Sequence, residues 1–203
     1  MAAATATAAA MTAVKKSRTL GAAVAAALGL TLLTGCSSDT AAVPDGWGTL
    51  DTKSVSVGYP ESKGYREQSA ADRGKSNAAV ALKEEGGLRT GMVSVQLDFA
   101  TGIDDAAEAA SAAGAGIGLG ATRKGTSDVR LAGEESAREA RRIDYEFTSS
   151  GKERTPAGGT RMTGVVVAGV DSKDVPFAIR INAVKGSLSA QELDAFVDSI
   201  TVK

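Results

Sequence analysis

The side chains that most often carry catalysis, metal binding or redox chemistry are nearly absent from this sequence. The chain of 203 residues has no histidine, and Cys36 is its only cysteine. Serine–histidine–aspartate triads, cysteine–histidine pairs and histidine metal sites are therefore excluded within the chain, as are an internal disulfide and a Cys-x-x-Cys redox motif. The chemistry that remains belongs to carboxylates, arginines, aromatic rings and the thiol of Cys36.

The segment before the cysteine has the layout of a secretory signal. Lys15, Lys16 and Arg18 form a basic cluster, and residues 20–33 that follow are uncharged and mostly apolar. This order matches a basic n-region followed by an h-region of about 7–15 residues. As a helix the apolar run would span about 21 Å, which is short of the ~30 Å hydrocarbon core of a bilayer. We expect residues 1–35 to be a signal peptide.

Leu33-Thr34-Gly35-Cys36 resembles the lipobox of bacterial lipoproteins, in which small residues precede a cysteine directly after a short apolar run. The resemblance implies a diacylglycerol thioether on the Cys36 sulfur, cleavage between Gly35 and Cys36, and recognition of Leu33, Thr34 and Gly35 by the signal peptidase. Two acyl chains make a stable anchor, since each buried methylene contributes about 0.8 kcal/mol. We therefore expect the mature protein on the outer face of the cytoplasmic membrane, with no free thiol.

Length and charge limit the class of protein. The first 35 residues hold three basic and no acidic side chains, so cleavage before Cys36 would leave 168 residues with a net charge of −4. This acidic balance speaks against nucleic-acid binding. The first ten residues are of low complexity, and we expect Met11 to be the true initiator. A lipidated tether is expected at 36–49 and a single domain at 50–203, because this length suits one hydrophobic core.

Apolar periodicity predicts the elements that must position any site. Alternation of apolar and polar residues is typical of half-buried strands, whereas residues 162–170 are almost continuously apolar, which indicates a strand covered on both faces. Ser189 with Glu192, and Thr101 with Asp104, resemble capping boxes that begin two helices. Strands joined by short turns pair antiparallel, so the sequence predicts an α+β fold with a single antiparallel sheet and helices packed on it. The predicted strands cover residues 55–59, 78–82, 93–99, 129–131, 136–149, 162–170 and 177–181.

Three stretches of the mature chain resemble the PsbP-like family, which includes the LpqN-type lipoproteins of actinobacteria. They are VSVGYP at 55–60, LAGEESAREARRIDYEF at 131–147 and LDAFVDSITV at 193–202. The sequence departs from the family where ESKG separates Tyr59-Pro60 from the next aromatic residue. The resemblance implies a PsbP-like sandwich and a non-catalytic accessory or partner-binding role, and it transfers no site residues because the family shares a scaffold more than a site.

Two arginines are the first candidates for binding an anion. If residues 136–149 are one strand, alternation places Arg138 and Arg142 on the same face, where they could clamp a phosphate or an anionic headgroup. Glu134, Glu135 and Glu139 are interleaved with them. The alternative is therefore a solvated surface whose charges compensate each other.

Residues 61–76 are polar and irregular, and they predict a long exposed loop. Tyr65 and Arg66 lie in it, and tyrosine and arginine are enriched at interface hot spots. Loops held on a rigid sheet are frequent binding sites. We therefore expect Tyr65 and Arg66 to contact a partner, and we expect Tyr65→Ala to change stability by no more than about 0.5 kcal/mol, as at a surface position.

Other motifs have simpler structural explanations. Gly116-x-Gly118-x-x-Ala121 resembles a relaxed dinucleotide fingerprint, but that motif follows a strand and opens a helix, whereas here a predicted helix precedes it. Asp104 and Asp105 suit a helix N-terminus better than a calcium loop, which needs several oxygens at short spacing. No metal or cofactor is predicted.

The function that these observations favour is a membrane-anchored accessory module that binds an envelope protein or a small ligand without turnover. Two alternatives remain open. One is an envelope hydrolase that works through two converging carboxylates, one of them with a raised pKa, and the sequence does not identify those acids. The other is a purely structural component of the envelope.

Cys36→Ala is expected to abolish membrane retention, because it removes the only atom to which the lipid can be attached. The measurement is fractionation of cells that express parent and variant, combined with labelling by a fatty-acid probe. Equal labelling of the two proteins would contradict lipidation at Cys36.

Overall fold

The computed structural model describes residues 40–118 and 120–203, which belong to one compact unit. The predicted signal peptide and the lipobox residues Leu33, Thr34, Gly35 and Cys36 lie outside the described residues. None of the described helices is long and apolar enough to cross a membrane.

Strands dominate the described part of the chain. Its strands are β1 (Gly48–Asp51), β2 (Val55–Tyr59), β3 (Tyr65–Glu67), β4 (Ala79–Glu85), β5 (Leu88–Leu97), β6 (Thr122–Arg130), β7 (Ala132–Gly133), β8 (Glu139–Thr148), β9 (Arg161–Val170), β10 (Pro176–Val184) and β11 (Thr201–Val202). Its helices are α1 (Ala106–Ala115) and α2 (Ala190–Asp198), and short 3₁₀ turns lie at Glu61–Lys63 and Glu135–Ala137. The predicted α+β composition is confirmed.

The strands form two sheets, so the prediction of a single sheet was wrong. The larger sheet has seven strands in the order β3-β4-β5-β10-β9-β8-β6, and every neighbouring pair is antiparallel. The smaller sheet has the order β1-β2-β11-β7, and its β11–β7 pair is parallel. The sequence concealed this sheet because β7 and β11 have two residues each, which is too short for alternation to be visible.

One face of the large sheet is covered by the small sheet together with α2. Val57 of β2, Phe196 of α2 and Ile179 of β10 are each 0% exposed in this first core. Trp47 packs against it, with its ring centroid 4.7 Å from that of Phe196. The capping box predicted at Ser189 and Glu192 is present and begins α2.

The opposite face of the large sheet is covered by α1. Ala109, Ala110 and Ala113 pack on β8, β9 and β10, and their small size lets the helix approach the sheet closely. The helix begins at Ala106 and its N-cap is Asp105 rather than Thr101, because the side chain of Asp105 accepts the backbone N–H of Glu108 at 2.8 Å.

The consequence of this layering is clearest in β9. Val165, Val166, Val167 and Ala168 are all 0% exposed, which confirms the prediction of a strand covered on both faces. Each such valine contributes about 1.5–3 kcal/mol of burial free energy. Both cores are built from residues 47–202, so a fragment of residues 37–203 retains every described core contact.

Only part of the segment at 61–76 is the exposed loop that its polarity predicted: residues 68–76 contain neither helix nor strand, whereas residues 61–67 form a 3₁₀ turn and β3. Gly64 adopts a left-handed φ of 87° after the 3₁₀ turn, and the reversal brings Tyr65 into β3 with its side chain pointing inward. Tyr65 is 1% exposed and packs edge-on against Phe196, with ring centroids 6.2 Å apart. It also lies over Gly91, where a Cβ would come within 2.7 Å of its Cζ. The expectation that Tyr65 is a surface contact was therefore wrong.

Arg66 is exposed, but its guanidinium makes hydrogen bonds to nearby backbone carbonyls of its own chain. It donates to the carbonyl oxygens of Glu61 at 2.9 Å and Tyr65 at 2.7 Å. These bonds hold the turn that buries the tyrosine ring. Arg66 thus supports the position of Tyr65 within its own chain.

Tyr65→Ala is expected to destabilise the protein by about 3–5 kcal/mol, since it removes a fully buried aromatic ring. Tyr65→Phe keeps the ring and is expected to cost less than about 1.5 kcal/mol. Urea unfolding of residues 37–203 measures both, with Glu67→Ala, at an exposed position of β3, as the neighbouring control. A loss below about 0.5 kcal/mol for Tyr65→Ala would restore the exposed-loop interpretation.

Candidate functional site

A cleft opens where α1 stops covering the large sheet. The helix ends at Ala115, and beyond it lies a cavity of about 690 Å³ on the same sheet face. The connection from α1 to β6 forms one wall through residues 116–118, 120 and 121, and residues 148–150, 155 and 156 form the other. The buried hydroxyl of Ser149 donates to the carbonyl of Pro156 at 2.5 Å and so closes the second wall on itself. We refer to this cavity as the sheet-face cleft.

Strand register places a continuous row of side chains across its floor. Leu82 of β4 lies opposite Met92 of β5, which lies opposite Asn182 of β10. Asn182 in turn lies opposite Gly164 of β9, and Gly164 opposite Tyr145 of β8. Since side chains alternate between sheet faces, these five positions share one face, and the row mixes apolar and amide side chains.

Gly164 in this row determines the orientation of the Tyr145 ring. The Tyr145 hydroxyl donates to Asn182 Oδ1 at 2.5 Å, and the ring crosses over Gly164 to reach it. A Cβ at Gly164 would come within 2.6 Å of that same Oδ1 atom. Phe147 stacks on the tyrosine ring at a centroid distance of 5.7 Å. Burial raises the pKa of Tyr145 above its ordinary value, and nearby Arg180 opposes part of that rise.

The charged side chains among the described residues that line the cleft are two arginines, Arg89 and Arg180. Arg180 lies at the end of α1 and donates to the carbonyl oxygens of Gly116 and Ala113, both at 3.3 Å. A cation at this position complements the negative end of the helix dipole. Arg89 lies toward the other end of the cleft, 4.0 Å from Glu84.

The glycine-rich stretch belongs to the cleft wall and not to a nucleotide site. As predicted, α1 precedes Gly116 and β6 follows Ala121. This is the reverse of the strand-then-helix order that places a pyrophosphate at a helix N-terminus. Asp105 is the N-cap of α1, in keeping with the helix explanation for the paired aspartates. Within the described residues, no group of three or more acidic, histidine or cysteine side chains could hold a metal ion.

Arg138 and Arg142 do not form the predicted pair on one strand. The 3₁₀ turn at Glu135–Ala137 delays the start of β8 to Glu139, so strand alternation does not apply to Arg138. Its Nε donates to the Gly133 carbonyl at 2.6 Å. Both arginines lie outside the cleft lining.

Arg142 is instead held between two carboxylates. It donates to Asp144 at 2.8 Å and to Asp194 of α2 at 2.6 Å, with 17% of its side chain exposed. Burial lowers the pKa of Arg142, but the hydrogen bonds to these carboxylates outweigh that effect and raise it above its ordinary value. This arginine therefore joins α2 to the sheet.

A second charged cluster lies around Glu146. Lys185 and Arg161 donate to its carboxylate at 2.5 and 2.8 Å, and Lys124 lies 3.7 Å away. Hydrogen bonds from Lys185 and Arg161 lower the pKa of Glu146 to about 2. The cluster ties β6, β8, β9 and the end of β10 together, and these residues do not line the sheet-face cleft.

Comparison with known proteins adds little to this description of the cleft. No protein-family model and no curated protein matches the chain. A crystal structure from Bacteroides thetaiotaomicron VPI-5482 aligns with 73% of this chain and 45% of its own, at 13% sequence identity and a TM-score of 0.40. The chain thus spans less than half the length of that protein.

Gly164→Ala is expected to cost about 1–3 kcal/mol, because the added methyl group displaces the ring of Tyr145 from Asn182. In a Tyr145→Leu background the same substitution is expected to cost less than about 1 kcal/mol, because the crowded ring is gone and the Asn182 amide, no longer bonded to the hydroxyl, can turn away from the added methyl group. Urea unfolding of the four proteins of this cycle measures the coupling. Purely additive effects would show that Gly164 does not position Tyr145.

Proposed function

We propose that this protein is a lipid-anchored lipoprotein on the outer face of the cytoplasmic membrane that binds a small ligand in the sheet-face cleft without turning it over. The observation that carries the proposal is the cleft itself, at the position where α1 ends and the sheet face continues. Its volume of about 690 Å³ lies within the range of about 300–1,000 Å³ that is usual for small-molecule sites.

The composition of the lining supports a binding site. Met92, Met162 and Phe147 supply apolar contact area, while Asn182 and Gln96 supply polar groups that could orient a ligand. A few polar groups within an apolar lining are the usual arrangement of such sites. The floor belongs to a rigid sheet, which holds these groups at fixed spacing.

The anchor rests on the lipobox at Leu33–Cys36, and the accessory role agrees with the resemblance to PsbP-like and LpqN-type proteins. An acidic mature domain would be weakly repelled by anionic headgroups. The cleft would then face the envelope space, where it could meet a small ligand or a ligand carried by an envelope protein.

A carboxylate-dependent hydrolase is the second candidate from the sequence. It would need two acids that converge on a substrate. The charged side chains in the described lining are arginines, which stay protonated at neutral pH and act as donors. Such groups favour capture of a ligand, and binding is therefore the function that we propose.

Filling the cleft is expected to weaken binding. Gly118 lines the cleft, and a Cβ added there meets nothing within 4 Å, so Gly118→Trp narrows the cleft without backbone strain. With residues 37–203 and a neutral apolar dye whose emission shifts on binding, we expect parent protein to bind and Gly118→Trp to bind at least about fivefold more weakly, a change of about 1 kcal/mol.

The matched control is Gly125→Trp, because Gly125 lies in the exposed edge strand β6 and a Cβ there also meets nothing within 4 Å. This variant is expected to bind the dye like the parent. No dye binding by the parent, or equal weakening by the two tryptophans, would contradict the proposed function.

A further inference from the structure

We propose that the ligand of the sheet-face cleft is a small carboxylic acid with an apolar body, whose carboxylate is held by Arg180 and Asn182. This inference rests on the proposed binding function and specifies its chemistry. The donors on β10, the apolar surface beside them and the sign of the charge in the cleft support it.

Arg180 and Asn182 are neighbours on the same sheet face. They are two residues apart in β10, so their side chains emerge on one side, with Cα atoms about 7 Å apart at 3.4 Å per residue. A guanidinium has five N–H donors. Arg180 makes two long bonds of 3.3 Å to the carbonyl oxygens of Ala113 and Gly116, and it also interacts with the Tyr145 hydroxyl. It therefore retains donors for a ligand in the part of the cleft next to α1.

The bond to Tyr145 determines what Asn182 can offer. Its Oδ1 atom is the acceptor for the Tyr145 hydroxyl at 2.5 Å. The acceptor of the amide is thus used inside the protein, and the group left for a ligand is the Nδ2 amine with its two donors. Beside Arg180 this makes a site rich in donors, which suits an acceptor-only group such as a carboxylate.

The floor next to these donors is apolar. Leu82 and Met92 continue the row of Asn182 on one side, and Met162 lies opposite Phe147 in the following row. Methionine adapts its shape to irregular apolar ligands. The strand position opposite Arg180 is Ser94, and Arg89 lines the cleft near the start of β5.

Charge favours an acid over a neutral ligand. The proposed mature chain carries a net charge of −4, yet the charged residues in the described lining are both arginines. A cationic cleft in an acidic domain attracts anions to that point on the surface. An apolar acid would satisfy the donors and the apolar floor together.

The experiment uses calorimetry on residues 37–203 with decanoate and its neutral analogue decanol. We expect decanoate to bind at least tenfold more tightly than decanol. Asn182→Asp keeps an acceptor for Tyr145 but replaces the amine donors with a negative charge, and it is expected to weaken decanoate at least tenfold and decanol less than threefold. Asn77→Asp makes the same charge change outside the cleft lining and is expected to leave both unchanged.

Further arms identify the source of the carboxylate and protect against a folding defect. An apolar tripeptide with a free C-terminus is compared with its C-terminal amide. If the free acid binds more tightly than the amide by a larger factor than decanoate does than decanol, the site is assigned to peptide ends rather than to lipid-derived acids. If Asn182→Asp lacks a cooperative melt, Asn182→Leu removes the donors without adding charge and is expected to weaken decanoate at least fivefold.

Three results would overturn the carboxylate assignment. They are equal binding of decanoate and decanol by the parent, unchanged decanoate binding by a folded Asn182 variant, and displacement of decanoate by inorganic phosphate at equal concentration. Each can occur while the neutral dye still binds, so the failure of this inference is distinguishable from failure of the proposed function.

Discussion

The length difference between α1 and the strands beneath it is the constraint on which the rest of the structure depends. α1 has ten residues and spans about 15 Å, at 1.5 Å per residue. β9 has ten residues as well and spans about 33 Å, because a strand rises more than twice as far per residue. One helix therefore covers roughly half of a sheet face whose residues are apolar well beyond it. The uncovered half is the sheet-face cleft.

The opposite face of the sheet is covered more fully because several elements pack on it together. The small sheet, α2 and the ring of Tyr65 all contribute to the first core. The inward turn of Tyr65 over Gly91 fills the end of that face near β4 and β5. The asymmetry between the two faces thus follows from their covering elements, since β9 itself is apolar on both sides.

Local signals predicted what is local in this fold. The continuous apolar run predicted β9, and the Ser189–Glu192 pair predicted the start of α2. The second sheet was not predicted because its strands β7 and β11 are too short to show a period. The burial of Tyr65 was not predicted because a single inward side chain gives no visible pattern among polar neighbours. The cleft could not be predicted, since Tyr145 and Asn182 are 37 residues apart and meet only through strand register.

The central claim is that the half-covered face of the large sheet is the binding surface. Mapping of ¹H–¹⁵N chemical shifts in residues 37–203 during titration with decanoate tests it most directly. We expect the largest changes on the Asn182 side-chain amide and on the backbone amides at 116–118, 120, 121, 148–150 and 155. Changes concentrated on α2 or along β6, with these amides unmoved, would contradict it.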